Sequence, residues 1–122
     1  MRKDASRFEE GATNMHGVYG LGASIDRFLE IGMDRIEKRI LSITDLLEKG
    51  LEALGYTITS PRKSGERSGI ICFAGSDKDP ESIMQELMDG GVAASVREGS
   101  IRLSPHFYND AGEVERFLEI LK

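Results

Sequence analysis

Two arginines, Arg97 and Arg102, stand at a spacing that could do chemistry in this chain of 122 residues. They flank Glu98-Gly99 in the segment VAASVREGSIRLS, where the glycine-containing pair suits the tight turn of a hairpin. With those two residues as the turn, Arg97 faces Ser100, Val96 faces Ile101, Ser95 faces Arg102 and Ala94 faces Leu103. Successive strand side chains point to opposite faces, so Ala94, Val96, Ile101 and Leu103 share one face and Ser95, Arg97, Ser100 and Arg102 the other. Two guanidinium groups placed as diagonal neighbours can hold a carboxylate, because each planar fork offers two parallel donors to its two oxygens. The alternative is a solvated sheet face, where long charged side chains are ordinary.

The other reactive side chains form no complete constellation. His106, in SPHFYND, could act as an acid or base, but no carboxylate or nucleophile lies at an informative spacing, and a strand-end histidine making a turn hydrogen bond is the simpler reading. Cys72 lies in an apolar run with no adjacent cation, as expected of a buried, inert thiol. The glycine-rich stretch GVYGLG (Gly17 to Gly22) precedes a helix, and helix N-termini bind phosphate. It follows no strand and lacks the GxGxxG spacing, so glycines that ease helix packing are favoured over a nucleotide loop. Two histidines far apart, one cysteine and no HExxH or CxxC spacing leave little from which to build a metal site.

The elements that must position these residues are legible from periodicity. Between Gly20 and Leu54, the residues Ile25, Phe28, Leu29, Met33, Ile36, Ile40, Ile43, Leu47, Leu51 and Leu54 recur every three or four positions, the stripe of an amphipathic helix. Gly32 interrupts it and predicts two helices or one bent helix, the second starting at Asp34, with Gly55 as its C-terminal cap. Tyr56–Thr59 favours a strand, and Ser60–Ser68, with Pro61, Gly65 and four charges, reads as a connecting loop that does not pack. Gly69–Ala74 is apolar without alternation, the pattern of a central strand covered on both faces. Asp79-Pro80-Glu81 starts a helix that buries Ile83, Met84, Leu87 and Met88 and stops at Gly90-Gly91. The hairpin strands Val92–Arg97 and Ser100–Ser104 follow. A last helix from about Asp110 to Leu121 buries Val114, Phe117, Leu118 and Leu121, with Asp110 as N-cap. The order α-α-β-β-α-β-β-α predicts an α+β fold: a small, mostly antiparallel four-stranded sheet with helices on one face, preceded by a long bent or broken helix.

Composition narrows the function classes. A net charge of −5 with interspersed signs argues against a nucleic-acid footprint, and no apolar run approaches the length of a membrane helix. MRKDASRFEE has no apolar stretch behind its basic residues, so it is not a secretory signal, and a single cysteine suits a reducing compartment; the cytoplasm is the expected location. Residues 1–19 read as a polar segment and residues 20–122 as one domain.

Two stretches, RFEEGATN (Arg7 to Asn14) leading into GVYGLGASIDRFLEIG, and VREGSIRLSPHFYND (Val96 to Asp110) before an amphipathic helix, with SGIICF between them, resemble the C-terminal part of class V aminotransferases. These are pyridoxal-phosphate enzymes of fold type I that include cysteine desulfurases, selenocysteine lyases, kynureninases and isopenicillin-N-epimerase-like proteins. The resemblance implies that residues 20–122 are the family's small domain and residues 1–19 a loop for cofactor and subunit contacts. It implies that Arg102, in IRLSP, binds the α-carboxylate of an amino-acid substrate. Arg97, in VREG, resembles the arginine that cysteine desulfurases place before a longer loop, which is almost absent here. Where the family reads RFE-x-GTPN and its threonine reaches the cofactor phosphate of the partner subunit, this sequence has Gly11, Ala12 and Thr13, so the backbone of that stretch or the Thr13 hydroxyl takes the contact. The family's Schiff-base lysine, its aspartate to the pyridine nitrogen and its stacking aromatic lie upstream. The chain is therefore expected to be a fragment of a homodimeric enzyme, not active and not binding pyridoxal phosphate alone. A free-standing α+β module that binds a small anion, or that only dimerises, is the alternative.

Overall fold

The computed structural model describes residues 3–4, 8, 11, 14–75 and 78–122. The chain divides into two compact units, one up to Met33 and one from Asp34 to Lys122. In the first, helix α1 runs Met15–Ile31. It begins at Met15, five residues before Gly20, because Asn14 caps it, its side-chain oxygen accepting from the Gly17 N–H at 3.0 Å. GVYGLG is therefore helix interior and no loop. Added Cβ atoms at Gly20 and Gly22 would meet nothing within 4 Å, so the expected packing role of these glycines finds no neighbour among the described residues. The helix stops at Gly32, whose φ of +92° takes the chain out of helix geometry.

Helix α2 runs Met33–Ala53, and the second unit takes it from Asp34 on. The break predicted at Gly32 thus gives two helices. Gly55, at φ +86°, closes α2: its own N–H donates to the Glu52 carbonyl and that of Tyr56 to the Leu51 carbonyl. This pair of bonds satisfies carbonyls the helix end would otherwise leave open. Gly91 closes α3 (Pro80–Asp89) in the same way, with bonds from Gly91 to Met88 and from Val92 to Leu87. At the start of α3 the Asp79 carboxylate accepts from the Ser82 hydroxyl and from the N–H groups of Glu81 and Ser82, which hold its pKa below the usual aspartate value.

Four strands, β1 (Thr57–Ile58), β2 (Ile71–Ala74), β3 (Ser95–Arg97) and β4 (Ser100–Leu103), form one antiparallel sheet in the order β1-β2-β4-β3, and α4 (Ala111–Ile120) completes the α+β fold. The hairpin register is Ser95 opposite Arg102, Val96 opposite Ile101 and Arg97 opposite Ser100, as the spacing predicts. Glu98 and Gly99 both have positive φ, +49° and +76°, the conformation of a type I′ turn whose twist matches that of the flanking strands.

One face of the sheet makes the core. Ile71, Phe73, Ile101 and Leu103 pack with Ile43, Leu47 and Leu51 of α2, Ile83 and Leu87 of α3, and Val114 and Phe117 of α4. Phe73 meets Tyr56 and Phe117 edge-on, at centroid distances of 5.2 and 6.1 Å. Gly50 lets Leu118 lie against α2, since a Cβ there would come within 2.2 Å of it.

Three expectations need correction. β2 is central but not covered on both faces: Ile71 and Phe73 are fully buried, while Cys72 and Ala74 on the opposite face are only half-buried. Met88 is 57% exposed, because the apolar side of α3 is already filled by Ile83 and Leu87. The 60–68 loop does pack. The Arg62 guanidinium binds Asp45 at 3.0 Å, Glu48 at 2.9 Å and the buried Thr44 hydroxyl at 3.2 Å, and Arg67 shares Asp45 at 2.8 Å. The charges that marked a solvated loop are the groups that fasten it to α2.

Candidate substrate-binding face

β4 sits between β2 and β3, and burial of Ile101 and Leu103 in the core forces Ser100 and Arg102 to the other side. On that side Arg102 is flanked by Cys72 of β2 and Ser95 of β3, its directly opposite residues. Arg97 lies one diagonal step away, opposite Ser100. The surrounding side chains are short and polar, with the Thr59 and Ser100 hydroxyls 3.1 Å apart and the Ser60 hydroxyl accepting from the Cys72 N–H at 3.0 Å. The sequence reading gave Cys72 no neighbouring cation. Along its own strand that holds, but pairing across strands brings Arg102 beside it.

Arg102 is half-buried and Arg97 exposed. Among the described residues no ion pair engages either guanidinium, although arginines 27, 62, 67 and 116 all pair with carboxylates. A cation held on a rigid central strand, with its donors uncommitted, is prepared to take an anion from outside.

The segment after β4 fixes the end of that strand. In the turn 106–109 the His106 N–H donates to Asn109 Oδ1 at 2.7 Å and the Asn109 N–H to the His106 carbonyl at 3.0 Å. The imidazole stacks on Tyr108, at 4.6 Å and 22°. Asp110 then opens α4 with a complete capping box with Glu113. The Asn109 amide and the Asp110 N–H, in that order, hold the Glu113 carboxyl below its usual pKa. Arg39 of α2 reaches the Asn109 carbonyl at 2.8 Å, a contact across 70 residues that no local pattern signals. A cleft of about 450 Å³ opens beside this segment, lined by residues that include Leu47, Val92, Pro105, Tyr108 and Phe117. Neither Arg97 nor Arg102 lines it. Of the proposed phosphate contacts, Gly11 has a φ of +93° with open space where a Cβ would stand, whereas Ala12 and Thr13 lie outside the described residues.

The chain belongs to the class V aminotransferases, matching that family over residues 1–117. Among curated proteins it is similar to a probable cysteine desulfurase of Pyrococcus abyssi, 30% identical over 95% of this chain and 32% of the relative. It is also similar to a kynureninase of Shouchella clausii, 31% identical over 97% of this chain and 28% of the relative. Among solved structures, the apo structure of cysteine desulfurase from Thermococcus onnurineus matches with a TM-score of 0.87 and 27% identity, over 99% of this chain and 34% of that one. The chain spans about a third of the length of these relatives.

The family is pyridoxal-phosphate dependent. Lys78 is gripped by both oxygens of Glu86 at 2.9 Å, a hydrogen bond that raises its pKa, and Lys122 pairs with Glu119. No strand residue of the Arg102 face is a lysine.

Proposed function

We propose that this chain acts as the C-terminal, substrate-binding part of a pyridoxal-phosphate-dependent enzyme working on an amino acid, with Arg102 gripping the substrate α-carboxylate. The observation that carries this reading is the half-buried Arg102 guanidinium on the central strand of the sheet, with no acidic partner among the described residues. A strand paired on both sides holds the arginine in place, so binding a carboxylate costs little reorganisation and orients the substrate for the step that follows. In a dimeric parent, Gly11, Ala12 and Thr13 would meet the cofactor phosphate. The relatives' names, cysteine desulfurase and kynureninase, share an amino acid as the reacting molecule, and that is the level at which the substrate is assigned here.

The test is kinetic, in a full-length enzyme carrying this domain. A charge-assisted hydrogen bond is worth roughly 1.5–3 kcal/mol, so Arg102→Ala should lower kcat/KM by about 10- to 150-fold. Arg102→Lys should rescue poorly, because a point charge does not reproduce the planar fork, and Arg97→Ala should lose less. Normal efficiency in Arg102→Ala would remove the assignment. A second reading, a free-standing anion-binding module, has in its favour that both arginines stand within the unit Asp34–Lys122. It shares the expectation of anion binding by this chain and differs in predicting no preference for an amino acid over a simple anion such as sulfate.

A further inference from the structure

The face around Arg102 carries a second cation whose place suggests which amino acids the site prefers. Arg97 and Arg102 project from the same side of the β3–β4 hairpin as diagonal neighbours, opposite Ser100 and Ser95 respectively. Like charges so placed repel, and among the described residues no ion pair joins either guanidinium to Glu98, the acid nearest in sequence, or to any other carboxylate. The side chains beside them, Ser95, Ser100, Cys72 and Thr59, are short and carry no charge. The turn joining the two strands is only Glu98-Gly99, and its type I′ geometry fixes the strands, and therefore the two arginines, in one register.

We infer that Arg97 reads a second acid group, so that the site favours α-amino dicarboxylates over amino acids with neutral side chains. This rests on the assignment of the α-carboxylate to Arg102. Diagonal partners on a hairpin stand roughly 7–8 Å apart at the backbone, and two flexible arginine side chains can close that span onto the two ends of a four- or five-carbon diacid. An exposed guanidinium such as Arg97 suits the outer, more solvated acid, and the half-buried Arg102 the inner one that must be oriented. Two carboxylates would also offset the repulsion between the arginines, which a single carboxylate does less well.

The only cysteine of the chain makes the test possible, because Cys72 is half-buried directly opposite Arg102 and a ligand over that arginine should shield it. The alkylation rate of Cys72 is measured in the full 122-residue chain at constant ionic strength, against increasing L-alanine, L-aspartate and L-glutamate. The backbone amide shifts of Ser95 and Arg102 are followed in the same titrations as a readout independent of the thiol. The expected result is half-protection by at least one dicarboxylate at about a tenth or less of the L-alanine concentration, since one more charge-assisted pair forms. In Arg97→Ala that ratio should fall towards one, and in Arg102→Ala all three ligands should lose both readouts. Equal effects of alanine and the dicarboxylates, with Arg102 still required, would overturn the Arg97 inference and leave the carboxylate assignment standing. A preference for dicarboxylates that survives Arg97→Ala would overturn it too. Absence of both readouts with all three ligands would overturn the Arg102 assignment and this inference with it.

Discussion

At the scale of single residues, Arg102 and Ile101 show how one peptide bond separates function from folding. Ile101 is fully buried in the core, and Arg102 lies on the opposite side, where its truncation opens no cavity. Arg102→Ala should therefore change stability by no more than about 0.5 kcal/mol in urea unfolding, whereas Ile101→Ala should cost roughly 2–5 kcal/mol. Similar losses for both would mean that Arg102 is a structural residue. Glu113 gives a second residue-scale expectation. Its native pKa is lowered, so its contribution to stability is complete above the ordinary glutamate value and disappears as the pH falls through the lower native one. A carboxyl titration followed by NMR should show Glu113 ionising below the ordinary glutamate value, and Asn109→Ala should move it back up. This was partly visible in the sequence: Asp110 could be chosen as an N-cap from its place before an amphipathic run, but the Asn109 amide that shifts Glu113 depends on how the turn folds.

At the scale of elements, the hairpin was the most legible part of the chain, because two constraints coincide there. Period-two alternation and a two-residue glycine turn each specify the register, and together they bring Arg97 and Arg102 to one face. The turn is not ideal: Glu98 has a side chain at φ +49°, where asparagine or glycine is more at ease. Glu98→Asn should therefore stabilise the chain by about 0.5–1 kcal/mol without moving the arginines, measured by thermal unfolding and by unchanged amide shifts on β4. Destabilisation would mean that the Glu98 carboxylate has a role the geometry does not reveal. The start of α1 was less legible. Glycines at 17, 20 and 22 and the polar residues before them lower helix propensity, and the Asn14 cap is what carries the helix back to Met15.

At the scale of the whole molecule, local pattern gave the order of elements and the covered face of the sheet, while contacts between distant segments stayed out of reach. The order β1-β2-β4-β3 places Cys72 beside Arg102 across 30 positions of sequence, and Arg62 finds Asp45 and Glu48 on a helix that precedes its loop. Side chains of these types occur on any surface, and only the tertiary fold decides which of them meet. The apolar stripe read between Ile25 and Leu54 also divides. Ile43, Leu47 and Leu51 belong to the core of the second unit, whereas in the first Ile25 and Leu29 are exposed. The central claim, that Arg102 is the carboxylate-binding group, can be tested on the chain itself by following the arginine side-chain Nε–Hε resonances during titration with L-alanine. The account predicts a saturable shift of the Arg102 resonance, with those of Arg27 and Arg116 unmoved; no shift at Arg102, or an equal drift of all the arginines, would contradict it.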